Sequence, residues 1–227
     1  MKLVGQDICV DRGWRRIVED VGFSLDQGKA LIVTGENGTG KSTLLRALAG
    51  LLPLSSGQLR LEDKGKTFAH PREIAGHMHY LGALNAMKPA LTVGENLSFW
   101  QEFLRGDREH GSSVTQALAA VDLAHVSDLP FAYLSTGMKR RIAIARLLLV
   151  DRPVWIVDEP TSGLDDSAAK RFAQLAGEHC RKGGILIAAT HLPLPIRNAT
   201  HLRLERLFTF HEGDEMFDFP NRKGGPT

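Results

Sequence analysis

Nine consecutive residues, Gly35-Glu36-Asn37-Gly38-Thr39-Gly40-Lys41-Ser42-Thr43, constrain this chain more than any other stretch. They match the phosphate-binding P-loop pattern G-x-x-x-x-G-K-[ST]. The apolar run Leu31-Ile32-Val33-Thr34 ahead of them predicts a short buried strand, and residues 42–49 behind them predict a helix with a leucine face. The loop therefore joins strand to helix. Glycines 35, 38 and 40 let the backbone take positive φ and approach an anion closely. Successive N–H groups and the helix N-terminus can then surround phosphates. Lys41 is placed to reach the β and γ phosphates of ATP, and the Ser42 hydroxyl to take one coordination site on Mg²⁺.

A strand–loop–helix unit of this kind needs a sheet around it, and the remaining sequence supplies one. The runs Val154-Trp155-Ile156-Val157 and Ile185-Leu186-Ile187-Ala188-Ala189 read as buried parallel strands separated by a helix over residues 166–180. His77 to Gly82 reads as another strand of the same sheet. Alternating apolar positions in residues 1–30, with turns at Gly13 and Gly28, predict a small antiparallel sheet, and Leu59-Arg60-Leu61 reads as a further edge strand. From about 91 to 150 the period becomes helical, over 93–104, 114–121 and 137–150, with a solvated link at 107–113. The expectation is an α/β fold: a P-loop core of mostly parallel sheet, an N-terminal antiparallel β subdomain and an inserted helical subdomain. Residues 1–210 form one domain on this reading, and 211–227 a mobile tail.

Composition narrows the partners. Hydrophobic residues at 43% and charged residues at 24% are those of an ordinary globular protein. No run reaches the ~18 apolar residues that suggest a membrane span, and the N-terminus lacks the apolar core of a signal peptide. That predicts a cytoplasmic chain. Two cysteines, Cys9 and Cys180, support neither a disulfide framework nor a zinc site. A net charge of +2 with no basic stripe gives nucleic acid binding no support. His77 and His79 have no matching Cys or carboxylate ligands in their spacing and read as structural.

Two acids follow the buried run at 154–157. Asp158-Glu159 thus stands at the carboxyl end of a strand, where open α/β sheets bind ligands. Two carboxylates there are costly unless something offsets them. Beside Mg²⁺·ATP, Asp158 can hold the metal through water and Glu159 can polarise the attacking water. In Leu134-Ser135-Thr136-Gly137-Met138, Ser135 is a good N-cap and Gly137 opens a helix with Met138, Ile142, Ala145, Leu148 and Leu149 on one face. Taken alone, this is either an anion site or a capped core helix.

Taken together, these motifs resemble the ATP-binding cassette family, whose signature is Leu-Ser-Gly-Gly-Gln. This chain keeps Leu134, Ser135 and Gly137 but has Thr136 and Met138 at the other two places; Ser135 lies 23 residues before Asp158, about where the family puts its signature. Ser162-Gly163-Leu164-Asp165 resembles the loop that communicates across the family's dimer, and Thr190-His191 resembles its switch, with His191 sensing the γ-phosphate. The resemblance covers residues 1 to about 205. It implies a head-to-tail dimer in which Leu134, Ser135, Thr136 and Gly137 serve the nucleotide of a second copy, and membrane-spanning subunits as further partners.

A finer likeness rests on His79-Tyr80-Leu81-Gly82, on Leu91 to Trp100 and on Gly183 to Leu194. These stretches resemble the ATP-binding subunit of haem exporters in cytochrome c maturation. That likeness implies a peripheral subunit on the cytoplasmic face of the bacterial inner membrane. Direct haem binding is not expected, since no Cys-x-x-Cys-His occurs. Two departures from the wider family follow. The aromatic that stacks on adenine falls at Arg12, with Trp14 two residues on, and either side chain can stack. The Gln that usually follows the strand at Tyr80 is replaced by Ala83, with Asn85 and His79 as nearby substitutes. A soluble cassette ATPase of the iron–sulfur assembly type is the alternative; a DNA-repair ATPase lacks the coiled coil it needs.

Overall fold

The computed structural model describes residues 1–105, 111–190, 196 and 199–207. Among these, two sheets meet around the P-loop. Strands β1 (Lys2–Arg12), β2 (Arg15–Asp26), β4 (Ser56–Asp63) and β5 (Lys66–Phe68) form an antiparallel sheet in the order β2-β1-β4-β5. Strands β3 (Ala30–Thr34), β6 (Met78–Leu81), β7 (Val154–Asp158), β8 (Ile185–Ala189) and β9 (Ala199–Arg203) form a parallel sheet in the order β6-β7-β8-β3-β9.

The central parallel strands are continuous apolar runs because both faces are covered. Leu31, Val33, Val154, Ile156, Ile185 and Ile187 face a core shared with the antiparallel sheet and helix α1 (Lys41–Leu48). Their neighbours Ala30, Ile32, Trp155, Val157, Leu186 and Ala188 face a second core. That core packs against α3 (Val93–Arg105), α4 (Val114–Ala120), α5 (Thr136–Ala145) and α6 (Asp166–Arg181). The two-residue period of a strand thus divides one sequence between two cores. In α6, Ala168, Phe172, Leu175, Ala176 and Cys180 recur at helical spacing and are buried; burying a side chain such as Phe172 contributes about 1.5–3 kcal/mol.

Several expectations are corrected. Residues 59–61 are an edge only in part, because β5 adds beyond β4 from Leu61 onward, while Leu59 and Arg60 pair with β1 alone. The helix predicted over 137–150 is α-helical only to Ala145 and continues as a 3-10 turn, Arg146–Leu148, a common way for a helix to end. Of the link at 107–113, residues 107–110 lie outside the described residues. Its far end is exposed at Gly111 and Ser113, in keeping with a solvated link, and is anchored at Ser112, whose N–H donates to the Leu148 carbonyl at 2.9 Å. Helix α2 (Pro71–Gly76), β5 and β9 were not expected. The tail at 211–227 lies outside the described residues.

Strand β6 is an edge strand, so every second carbonyl faces away from β7 and needs a donor. Three arginines supply them. Arg152 donates to Met78 at 2.7 Å, Arg146 to Tyr80 at 2.9 Å and Arg140 to Gly82 at 2.6 Å. The series ends at the carboxyl edge of the sheet, where the P-loop lies.

Candidate nucleotide site

The P-loop leaves β3 and enters α1 through glycines that no other residue replaces without strain. Gly35, Gly38 and Gly40 have φ of 145°, 83° and 98°. A Cβ on Gly35 would meet the Leu204 carbonyl at 2.5 Å, and one on Gly40 the Ile17 carbonyl at 2.9 Å. Thr39 closes the loop by donating its hydroxyl to the Glu36 carbonyl at 3.0 Å. Lys41 is 8% exposed, and its ammonium donates to the carbonyls of Gly35 at 2.8 Å and Glu36 at 2.9 Å. Those contacts fold the lysine over the loop, within reach of anything the loop surrounds.

A cleft of about 460 Å³ opens here, lined by Arg12, Ile17, Asn37, Gly38, Gly40, Lys41, Ser42, Thr43, Arg46, Asp158 and Glu159. Three basic side chains and a helix N-terminus thus face two carboxylates, an arrangement suited to a polyphosphate with a divalent cation. Asp158 ends β7 and is 2% exposed. Glu159 takes the left-handed region at φ 45°, and its N–H donates to the Ala189 carbonyl at 2.8 Å. Among the described residues no three His, Cys, Asp or Glu side chains gather to hold a metal. The oxygen donors present, Ser42 and Asp158, suit a cation that keeps water and phosphate in its shell.

Arg12 lines the cleft; Trp14 does not, being 84% exposed with the Arg15 guanidinium 4.5 Å over its ring. Leu134, Ser135, Thr136 and Gly137 also lie outside the lining. Ser135 caps α5, its hydroxyl accepting from the Met138 N–H at 3.2 Å. Gly137 sits against the loop of Gly163, whose carbonyl a Cβ would meet at 3.1 Å. Asp165 caps α6, accepting from the Ala168 N–H at 2.8 Å. That hydrogen bond, with a second from Ser167, holds its carboxyl below the usual 3.8. His191 lies outside the described residues.

His79 is unsuited to the place left by the missing Gln. It is 3% exposed, and its Nε2–H donates to the Val150 carbonyl at 2.7 Å, while burial pulls its pKa from 6.5 to about 3. Ala83 is exposed, as expected of a loop residue. Reasoning from sequence missed Arg46, which lines the cleft, and Arg206, which donates to the Asn37 carbonyl at 2.9 Å. It also missed Arg140, which is 4% exposed. A signal for Arg140 was present: Ala143, Ile144 and Leu147 follow it at helical spacing and are all buried, so residue 140 lies on an inward stripe.

The family model described as ABC transporter matches residues 18–162. The cytochrome c biogenesis ATP-binding export protein CcmA of Mesorhizobium japonicum is 54% identical over 200 residues, 88% of this chain and 96% of that protein. The protein of the same name from Rhizobium meliloti is 50% identical over 90% of this chain and 98% of its own length. Among solved structures, an ATP-binding subunit of an ABC transporter matches with a TM-score of 0.74 at 25% identity, over 90% of this chain and 88% of that one. A dimeric post-hydrolysis cassette bound to ADP and Pi matches in fold with a TM-score of 0.73 at 20% identity, over 92% of this chain and 100% of its own.

Proposed function

The chain belongs to the ATP-binding cassette transporter family as an ATP-hydrolysing subunit, and from that premise we propose that it drives the export step of cytochrome c biogenesis, with haem as the cargo. One observation carries this reading: a P-loop cleft lined by Asp158 and Glu159, in a chain about half identical to export proteins of that name over nearly their whole length. No helix among the described residues is long and apolar enough to cross a membrane. Movement of a cargo therefore needs membrane-spanning partner subunits, with this chain docked on the cytoplasmic face of the inner membrane. Residues 1–210 act as one ATPase domain.

The P-loop backbone of Gly35, Glu36, Asn37, Gly38, Thr39, Gly40, Lys41, Ser42 and Thr43 holds the phosphates. Lys41 exchanges its two carbonyl partners for phosphate oxygens, a stronger acceptor for an ammonium. Bound ATP would supply the phosphoryl group and a divalent cation such as Mg²⁺ would supply charge neutralisation. Ser42 and Asp158, both in the cleft lining, are the residues that would hold that cation. Glu159 orients the attacking water and takes its proton. His191 senses the γ-phosphate. The P-loop cleft is open to solvent, so Leu134 to Gly137 of a second copy close it, and Asp165 reports across that dimer. Arg12, lining the cleft, offers its guanidinium plane to adenine.

Purification from detergent-solubilised membranes tests the reading. Recovery together with multi-spanning subunits needed for cytochrome c biogenesis supports it. Recovery only as a soluble protein, in cells that express those subunits, contradicts it and favours the assembly-type ATPase.

A further inference from the structure

We propose that Arg140 is the positioning residue that holds Glu159 in its working orientation and ties it to the loop after β6. The proposal rests on the assignment of Glu159 as the catalytic carboxylate.

Arg140 lies one turn into α5, the helix that Ser135 caps, and its guanidinium is buried at the carboxyl edge of the sheet. Among the described residues its four hydrogen-bond acceptors are main-chain carbonyls: Pro160 at 3.2 Å, Gly82 at 2.6 Å, Asp158 at 2.8 Å and Glu159 at 2.8 Å. Three of the four are consecutive residues of the catalytic loop. A planar fork of five donors suits such a set; a single ammonium does not.

Glu159 needs such a clamp. Its φ of 45° is a conformation that residues other than glycine adopt at a cost, and surroundings must hold it there. Its N–H is fixed by Ala189 of β8 and its carbonyl by Arg140, so both sides of the strained residue are held. The neighbouring arginines are engaged elsewhere: Arg141 donates to Val121, and Arg146 to Tyr80.

The same guanidinium reads Gly82, the residue just before Ala83. A glutamine side chain is absent from this loop, but a path from it to the catalytic carboxylate remains, through the Gly82 carbonyl, Arg140 and the Glu159 carbonyl. A shift of the loop moves Arg140 and, with it, the backbone that aims Glu159.

The test uses the purified full chain with Arg140→Lys and Arg140→Gln, each made alone and with Glu159→Gln. ATP affinity, kcat, KM and thermal midpoint are measured for every variant. Both single variants should bind ATP as the wild type does, with KM unchanged and kcat lowered roughly tenfold to a hundredfold, the cost of a small misplacement of a reacting group. Arg140→Lys should recover the thermal midpoint more than it recovers kcat. In the Glu159→Gln background, Arg140→Lys should lower the residual rate no further. Wild-type kcat in Arg140→Lys, with Glu159→Gln inactive, overturns the positioning role alone. Equal rate losses in both backgrounds, or loss of ATP binding in step with the thermal midpoint, reduces Arg140 to a structural residue. Full turnover in Glu159→Gln removes the catalytic assignment on which the proposal stands.

Discussion

Lowering the pH from 7.5 to 5 should destabilise this protein through two imidazoles outside the lining of the nucleotide cleft, His79, which is buried, and His179, which is half-buried. His79 stands on β6, and its ring N–H donates to the Val150 carbonyl at 2.7 Å. His179 lies on α6, stacked on Trp155 with ring centroids 4.1 Å apart and 3.2 Å from the Ile185 carbonyl. Burial is the main cause that holds their pKa values down, from 6.5 to about 3 for His79 and about 4 for His179. For His79, the nearby Arg152 and Arg146 push the same way.

Both folded values lie below the unfolded one, so on acidification the unfolded chain takes up protons first. Stability is complete above about pH 7 and falls as the pH drops from 6.5 toward 4 and 3. At pH 5 the loss is about 2 kcal/mol for each imidazole, since each full unit below the unfolded pKa costs about 1.4 kcal/mol. Asp11 and Asp165, held below the usual 3.8 by hydrogen bonds, remain ionised in both states over this window. Urea unfolding followed by tryptophan fluorescence at the two pH values measures the loss. His79→Gln keeps a donor for Val150 but cannot titrate, so it should remove about half of the pH dependence. Equal unfolding free energies at pH 7.5 and 5, or an unchanged pH dependence in His79→Gln, refutes the reasoning.

Lys41→Ala should weaken ATP binding about tenfold to a hundredfold, the worth of a charge-assisted hydrogen bond, with little change in thermal midpoint; calorimetric titration with ATP checks it. Arg12→Ala should weaken ATP binding and Trp14→Ala should not, because only Arg12 lines the cleft; equal affinities for the two variants contradict that placement. Asp165→Ala removes the cap of α6 and should cost about 1 kcal/mol in a denaturation series.

What the sequence made legible was what local pattern controls. The runs at 31–34, 154–157 and 185–189 are unbroken apolar stretches because both their faces are buried, and each proved to be a parallel strand. Strand β9, Ala-Thr-His-Leu-Arg, has no such run: it is an edge strand that joins β3 through backbone hydrogen bonds, and most of its side chains face water. Pairing was equally hidden for β4, since nothing in residues 59–61 says that β5 will add beyond them. Helix α2 is too short to show a period, although His70 before Pro71 is a start signal: the His70 ring accepts from the Arg72 N–H at 3.3 Å. At the site, motif residues could be read directly, whereas Arg46, Arg140 and Arg206 act on partners 18 to 169 residues away in the chain or line a cleft made by folding.

The account's central claim is that this chain hydrolyses ATP at a carboxylate held at the end of β7 beside the P-loop. The most direct measurement is phosphate release by the purified chain and by Glu159→Gln, with ATP affinity determined on the same samples. The amide keeps the shape of the side chain and removes the base, so ATP should bind as before while turnover falls on the order of a hundredfold or more. Turnover at the wild-type rate in Glu159→Gln, with ATP bound equally well, would contradict it.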